Sequence, residues 1–353
     1  MIYSVKHFSF ENRIDEFKYF SSGVVKSEKV FPVFEKDILF KPLSKTKPVV
    51  TPLFAYAEVF WSRAIHDFFF DVPLYSLAIC EGYEKVFPSC NEYGTCVPRV
   101  FGKMMNLLEF FQKYPDEKVQ IDGYVNYCMM FYDYTMIFES DFFKNHRSLS
   151  KGLAFYLLVS ILKADQNYHY ENVSFLCDEK NQPVSLAPML DHEYSSYFMF
   201  YDILEDHFKY LDEFEESLQN EKIDTNQYVD MDEKERYLKQ QSSIALHKNI
   251  LYIKKHFPDV AKAFLKCLDT FEKNIDFRIQ IESEYPFYAN SYLWLEARTR
   301  YKEKDLEKAQ EYKECFKNKG IAISMERLQV QLEIEIQHTI DLMKQLLEEK
   351  KES

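Results

Sequence analysis

A chain of 353 residues with only seven glycines cannot build the folds that depend on glycine-rich turns. Glycine supplies positive φ and lets a backbone come close to a phosphate. Neither G-x-G-x-x-G nor G-x-x-x-x-G-K-[ST] occurs, which excludes the dinucleotide-binding and P-loop forms of a nucleotide site. Aromatic residues run the other way. There are 32 Phe and 26 Tyr, spread over the whole length, so the cores are expected to be packed with rings.

With 46% hydrophobic and 29% charged residues the chain has the makeup of a folded globular protein, and its length suits roughly two domains. No run approaches the roughly 18 apolar residues of a membrane span. The opening MIYSVKHFSFENRIDEF carries charge throughout, unlike a secretory signal, so a cytoplasmic location is expected. The net charge is −13 and no dense Lys/Arg cluster is present, which argues against direct contact with nucleic acid or an anionic membrane. A few placed lysines and a divalent metal could still hold an anion against that mean field. The seven cysteines are odd in number and form no C-x-x-C pair; even with Cys90 and Cys96 close together, all are read as reduced and mostly buried.

Hydrophobic periodicity divides the chain near residue 101. Before it, VFPVF (30–34) and DILFKPL (37–43) read as strands joined by a turn at Glu35 and Lys36. LFAYAEVFWSRAIHDFF (53–69) has apolar residues at helical spacing, and 75–87 and 94–101 read as further strands. After it, 104–114, 124–138 and 149–164 read as helices, the last apolar nearly all round and therefore central. Two short strands, 173–178 and 183–190, follow a polar loop at 164–172. The acidic stretch 202–236 reads as a solvated helix and loop, with helices expected at 238–256, 258–273, 287–317 and 322–350. The last is expected to dock on its own domain, a coiled-coil pairing being the alternative. The domains are thus 1–101, a small sheet with one helix, and 102–353, mostly helical and ending in helices at 287–350.

Two groups of residues look chemical. Lys41 lies inside an apolar strand, where an unpaired lysine is costly, and Glu58 lies among Ala57, Val59 and Phe60 on a helix face that should meet the sheet. A strand lysine held by a helix glutamate is how protein kinases grip the α- and β-phosphates; the plainer reading is an edge lysine and a solvated glutamate. The second group is Asp165, Asn167, His169 and Asn172 in the polar loop, with Asp191 at the far end of the hairpin. Phosphoryl transfer needs a carboxylate near the attacking hydroxyl and oxygen ligands for Mg²⁺. Asn172 and Asp191, at the two ends of one hairpin, are placed to share a metal; for a lone polar loop the plainer reading is turn chemistry.

The run KADQNYHYENVSFLCDEKNQPVSLAPMLDHEYS resembles the HipA-like Ser/Thr kinases, whose pattern is roughly G-N-x-D-x-H-x-x-N-x-x-F-L, a turn, then L-A-P-x-x-D. His169, Asn172, Phe175, Leu176, Leu186, Ala187, Pro188 and Asp191 match it in order and spacing. Upstream, FSSGVVKSEKVFPVFEKDILFKPL resembles the family's phosphate loop, first hairpin and lysine strand. The resemblance covers about 15–200 and implies an α+β, bilobal, protein-kinase-like fold, with a β-rich first lobe and a helical second lobe carrying a catalytic loop at 164–191. It implies ATP and Mg²⁺ as cofactors. Ser21, Ser22 and Gly23 would lie at the phosphates and Lys41 on the nucleotide, fixed by Glu58. His169 would order the loop, and Asn172 and Asp191 would ligate the metal. The early position of Lys41 implies the short, stand-alone form of the family.

One departure matters. The family's catalytic Asp lies two residues before the His, where this chain has Asn167; the nearest acid is Asp165. Either the loop is longer between acid and His and Asp165 is the base, or Asn167 has replaced the base and transfer is weak or absent. The first is taken as the expectation. The leading function is an ATP/Mg²⁺-dependent kinase acting on a Ser or Thr hydroxyl, with a protein substrate or an antitoxin-like partner. The alternatives are a pseudokinase that binds nucleotide or a partner without transfer, and a helical interaction protein in which the kinase-like part is scaffold. Self-association through the C-terminal helices is a further expectation.

Overall fold

The computed structural model describes residues 2–20, 28–44, 53–88, 90–117, 119, 132–165, 168–190, 192, 245–278, 280–281 and 325–348. The expected strands or helices at 124–131, 202–236 and 287–317 lie outside them. The chain is α+β and divides into two compact units. The first is β-rich and takes residues 1–100, 191–194 and 274–335; the second is mainly helical and takes 101–190, 195–273 and 336–353.

In the first unit the strands are β1 (Ile2–Tyr3), β2 (Val5–Ser9), β3 (Asp15–Phe20), β4 (Glu28–Phe34), β5 (Ile38–Ser44), β6 (Ser76–Glu81) and β7 (Cys90–Pro98). Six of them form one sheet in the order β2-β6-β7-β5-β4-β3, while β1 pairs in parallel with Gln280–Ile281. All neighbours in the six-stranded sheet are antiparallel except β2 and β6. The turn between β4 and β5 forces Lys36 and Asp37 to positive φ, 62° and 55°, conformations that L-residues adopt at a cost. Helix α1 (Leu53–Phe68) packs on β6 and β7. Its Tyr56, Val59, Phe60, Trp61, Ala64 and Ile65 are fully buried, which explains the apolar run on that element. The opposite face of the sheet is filled by Phe10, Phe34, Phe40, Ala78, Cys80, Tyr83 and Cys96. Because side chains alternate along a strand, Phe40 in that cluster turns Lys41 toward α1.

Residues 75–87 are not one strand. β6 stops at Glu81, Gly82 takes φ 83°, and Tyr83–Val86 forms one helical turn, α2. The Gly82 N–H donates to Glu92 Oε1 at 2.8 Å, so the break is held from across the sheet.

In the second unit, β8 (Lys103–Asn106), β9 (Ser174–Cys177) and β10 (Pro183–Leu186) form an antiparallel sheet with β9 in the centre. The expected helix at 104–114 begins only at Leu107, giving α3 (Leu107–Lys113). Asn106 decides the boundary: its side chain accepts from the Glu109 N–H at 2.7 Å while Glu109 accepts from the Asn106 N–H at 3.1 Å. Two short helices, α4 (Thr135–Glu139) and α5 (Asp141–Asn145), lead into α6 (Arg147–Leu162), the expected central helix. α6 packs on β10, where a Cβ at Gly152 would stand 3.0 Å from Leu186 Cδ1. The aromatic core of Phe110, Phe143 and Phe175 joins α3, α5 and β9.

Among the described residues this unit also holds α7 (245–256), α8 (Pro258–Asn274) and the part of α9 (Met325–Leu347) from Ile336 onward. α8 buries Val260, Ala261, Phe264, Leu268 and Phe271 at three- and four-residue spacing. α9 buries Ile336, Ile340, Met343 and Leu347, and Lys344 Nζ reaches Asp269 and Glu272 of α8 at 2.7 Å each, so this helix docks on its own chain. Among the described residues no helix is long and apolar enough to cross a membrane.

Candidate functional site

In the first unit the sequence places Lys41 and Glu58 on separate elements, and the fold brings them together. Lys41 Nζ lies 2.6 Å from Glu58 Oε1, with side-chain exposures of 15% and 2%. The second carboxylate oxygen, Oε2, accepts a hydrogen bond from Thr95 Oγ1 at 2.6 Å. Thr95 stands directly opposite Lys41 in the β5–β7 register, so lysine and threonine leave the sheet on one face and converge on one carboxylate. A buried carboxylate is costly unless both oxygens are satisfied, and here both are. The glutamate is thus fixed by the sheet, and it in turn fixes a lysine that keeps some contact with solvent.

Two backbone features set the lysine's position. An ideal Cβ at Gly94 would lie 2.1 Å from the Lys41 carbonyl oxygen and 2.9 Å from Pro42 Cα, so β5 and β7 meet too closely for any side chain there. Pro42 lies past the last β4–β5 pair, Val33 opposite Leu39, where the missing N–H costs no ladder bond to β4.

In the second unit the polar loop starts at the end of α6. The Lys163 N–H donates to the Val159 carbonyl and the Ala164 N–H to that of Ile161, both at 2.9 Å, and Ala164 takes φ 48° to turn the chain out of the helix. The Asp165 N–H then reaches back to the Ser160 carbonyl at 3.1 Å. Asp165 Oδ2 lies 2.7 Å from Lys163 Nζ, with side-chain exposures of 4% and 0%. Tyr134 and Tyr168 are buried nearby; burial raises both phenols well above their usual range, and the charge of Asp165 adds to the rise.

Next in the loop, His169 is buried, and its Nδ1 accepts from the Glu171 N–H at 3.3 Å, which puts the proton of the neutral ring on Nε2. The His169 carbonyl accepts from the Asn172 N–H at 2.9 Å. Asn172 is half-buried and lines a cavity of about 50 Å³ with Met104, Tyr156, Tyr168 and Met189.

Of the residues expected at the site, Lys41 and Glu58 are in contact, and Asp165, His169 and Asn172 share one loop. Ser21, Ser22, Gly23, Asn167 and Asp191 lie outside the described residues. Among the described residues no group of three or more His, Cys, Asp or Glu side chains could hold a metal. Asn172 is the one described donor of the expected Mg²⁺ pair, and a single amide oxygen is a minor share of an octahedral shell. Sequence reasoning missed Thr95, Gly94 and Lys163.

No protein-family model matches the chain, and no curated protein matches it. Among solved structures the chain is similar to the Helicobacter pylori proinflammatory kinase CtkA, at 14% identity and a TM-score of 0.41, over 76% of this chain and 95% of that one. A likeness of that size leaves the functional reading to the chemistry of the residues themselves.

Proposed function

We propose that this chain is a HipA-like, ATP- and Mg²⁺-dependent kinase that transfers a γ-phosphoryl group to a Ser or Thr hydroxyl, with a protein as substrate. The observation that carries the reading is the triad of Lys41, Glu58 and Thr95. A lysine tied to a buried carboxylate, its side chain still part-exposed, is a preformed cation for phosphate oxygens. In this reading Lys41 binds the α- and β-phosphates, Glu58 aims it, and Thr95 holds the second oxygen of Glu58. Ser21, Ser22 and Gly23 would lie at the phosphates. His169 keeps the loop in shape, and Asn172 with Asp191 would hold Mg²⁺, which would neutralise charge on the phosphates. Transfer forms a bond from the acceptor oxygen to γ-phosphorus and breaks the bond to ADP, and the acceptor proton passes to a base, Asp165 in the leading reading.

The buried Lys163–Asp165 pair favours a second reading. A carboxylate occupied by an ammonium and shut off from solvent is poorly placed to receive a substrate proton. If it is structural, the base position falls to Asn167 and the chain is a nucleotide-binding pseudokinase. Two measurements test these readings. Mg-ATP should raise the melting temperature of the wild type and not of Lys41→Met; no rise in the wild type discards both. Labelled ATP should then be turned over by the wild type and not by an Asp165→Asn that still melts cooperatively and is still stabilised by Mg-ATP. A wild type that binds without turnover, and gains turnover on Asn167→Asp, selects the pseudokinase.

A further inference from the structure

In the second unit, α3, the segment after it and the start of α5 enclose a groove of about 460 Å³ that the nucleotide reading does not use. Its floor is aromatic. The Phe110 ring centroid lies 4.5 Å from that of Phe142 and 5.1 Å from that of Tyr114. Tyr114 is braced from the β9–β10 hairpin, its hydroxyl accepting from Gln182 Nε2 at 3.0 Å. The rim is acidic, with Asp116, Glu117 and Asp141 lining the same groove. Asp116 is held in place, since its Oδ2 accepts the Asp141 N–H at 2.7 Å; Glu117 and Asp141 are exposed. One cation is already at the edge: Lys113 Nζ stands 5.2 Å from the centre of the Tyr114 ring.

We infer that this groove docks a segment of a partner protein in which a basic side chain stands next to apolar ones. Ring faces attract a cation, and carboxylates at the rim pair with it as it enters. The apolar neighbours of that cation would fill the rest of the volume, which is of the size that takes small ligands or a few side chains. An acidic peptide would meet like charge, and a second copy of this chain, with a net charge of −13, is the poorer electrostatic match. The inference stands on the second unit alone and holds whether or not the chain transfers phosphate.

The test uses the full chain and a fluorescent peptide of alternating arginine and leucine, followed by anisotropy. Saturable binding that weakens with added salt is expected, and no binding when glutamate replaces arginine. Glu117→Lys, an exposed change that leaves the core alone, should weaken binding about fivefold, since it replaces an exposed ion pair with a repulsion. Phe142→Ala should weaken it further. Glu84→Lys, on the first unit, should leave it unchanged. Absent binding, equal binding of the glutamate peptide, full affinity in Glu117→Lys, or an equal loss in Glu84→Lys would each overturn the inference.

Discussion

Among the described residues, two buried lysine–carboxylate pairs have nearly the same length, 2.6 Å for Lys41–Glu58 and 2.7 Å for Lys163–Asp165. They differ in setting and in the exposure of the lysine. The first joins a strand to a helix, draws a second donor from Thr95, and leaves the lysine 15% exposed. The second closes over a single residue at the end of α6, and its lysine is fully buried. Contact distance therefore does not tell a pair open to a ligand from a sealed one. Access does, because a lysine can pass its charge to an incoming phosphate only if its head is not sealed in. Breaking a fully sealed pair takes the counter-charge from a group in low dielectric, whereas a pair whose lysine is part-exposed lets some water in.

The largest effect should come from the sealed pair. Asp165→Ala is expected to cost about 3–5 kcal/mol in stability, read from denaturant midpoints, because it takes the paired carboxylate from a fully buried Lys163. The double change Lys163→Met with Asp165→Leu should recover much of that loss. If Asp165→Ala costs no more than Lys41→Met, the contrast between the pairs collapses. Lys41→Met should next weaken ATP binding by about tenfold or more, measured by calorimetry, with about 1.5–3 kcal/mol of stability lost with the charged hydrogen bond. Thr95→Val keeps the shape and removes one donor, so ATP binding should fall by about threefold to tenfold and Lys41 should stay in place. An unchanged affinity would remove Thr95 from the site.

The smallest effect belongs to a third, more exposed cluster, Lys344 with Asp269 and Glu272. Hydrogen bonds from Lys344 hold the carboxyls of Asp269 and Glu272 below their ordinary values of 3.8 and 4.5. A depressed carboxylate contributes stability above its unfolded value and loses it as pH falls through the folded one. The stability difference between wild type and Lys344→Met, taken from thermal melts, should thus shrink as pH drops below about 4. It should be under about 1 kcal/mol even at neutral pH, since the Asp269 side chain is 54% exposed.

Lys41 and Glu58 could be read from the letters because each is a charge among apolar neighbours, an anomaly that only a partner resolves. Thr95 could not. Threonine is an ordinary strand residue, and its part depends on standing opposite Lys41, a register that no local pattern carries. Lys163 was hidden by position: a lysine at a helix C-terminus normally faces solvent and complements the dipole, yet this one turns inward to Asp165. In the fold, α1 and α6 were legible from long apolar periodicity. The errors fell where the chain changes conformation within a residue or two, at Gly82 and at Asn106. Both carried a local signal, a glycine in a strand and an Asn–Glu capping box, outweighed by the apolar runs around them.

The meeting of β5 and β7 at Gly94 also bears on inheritance. With only a hydrogen fitting beside the Lys41 carbonyl, Gly94 cannot drift on its own. A relative that gains a side chain there must move β5, and with it the lysine whose aim depends on that strand. Lys41, Pro42, Gly94 and Thr95, distant in the sequence but adjacent in the sheet, should therefore be kept or lost together as one unit of descent.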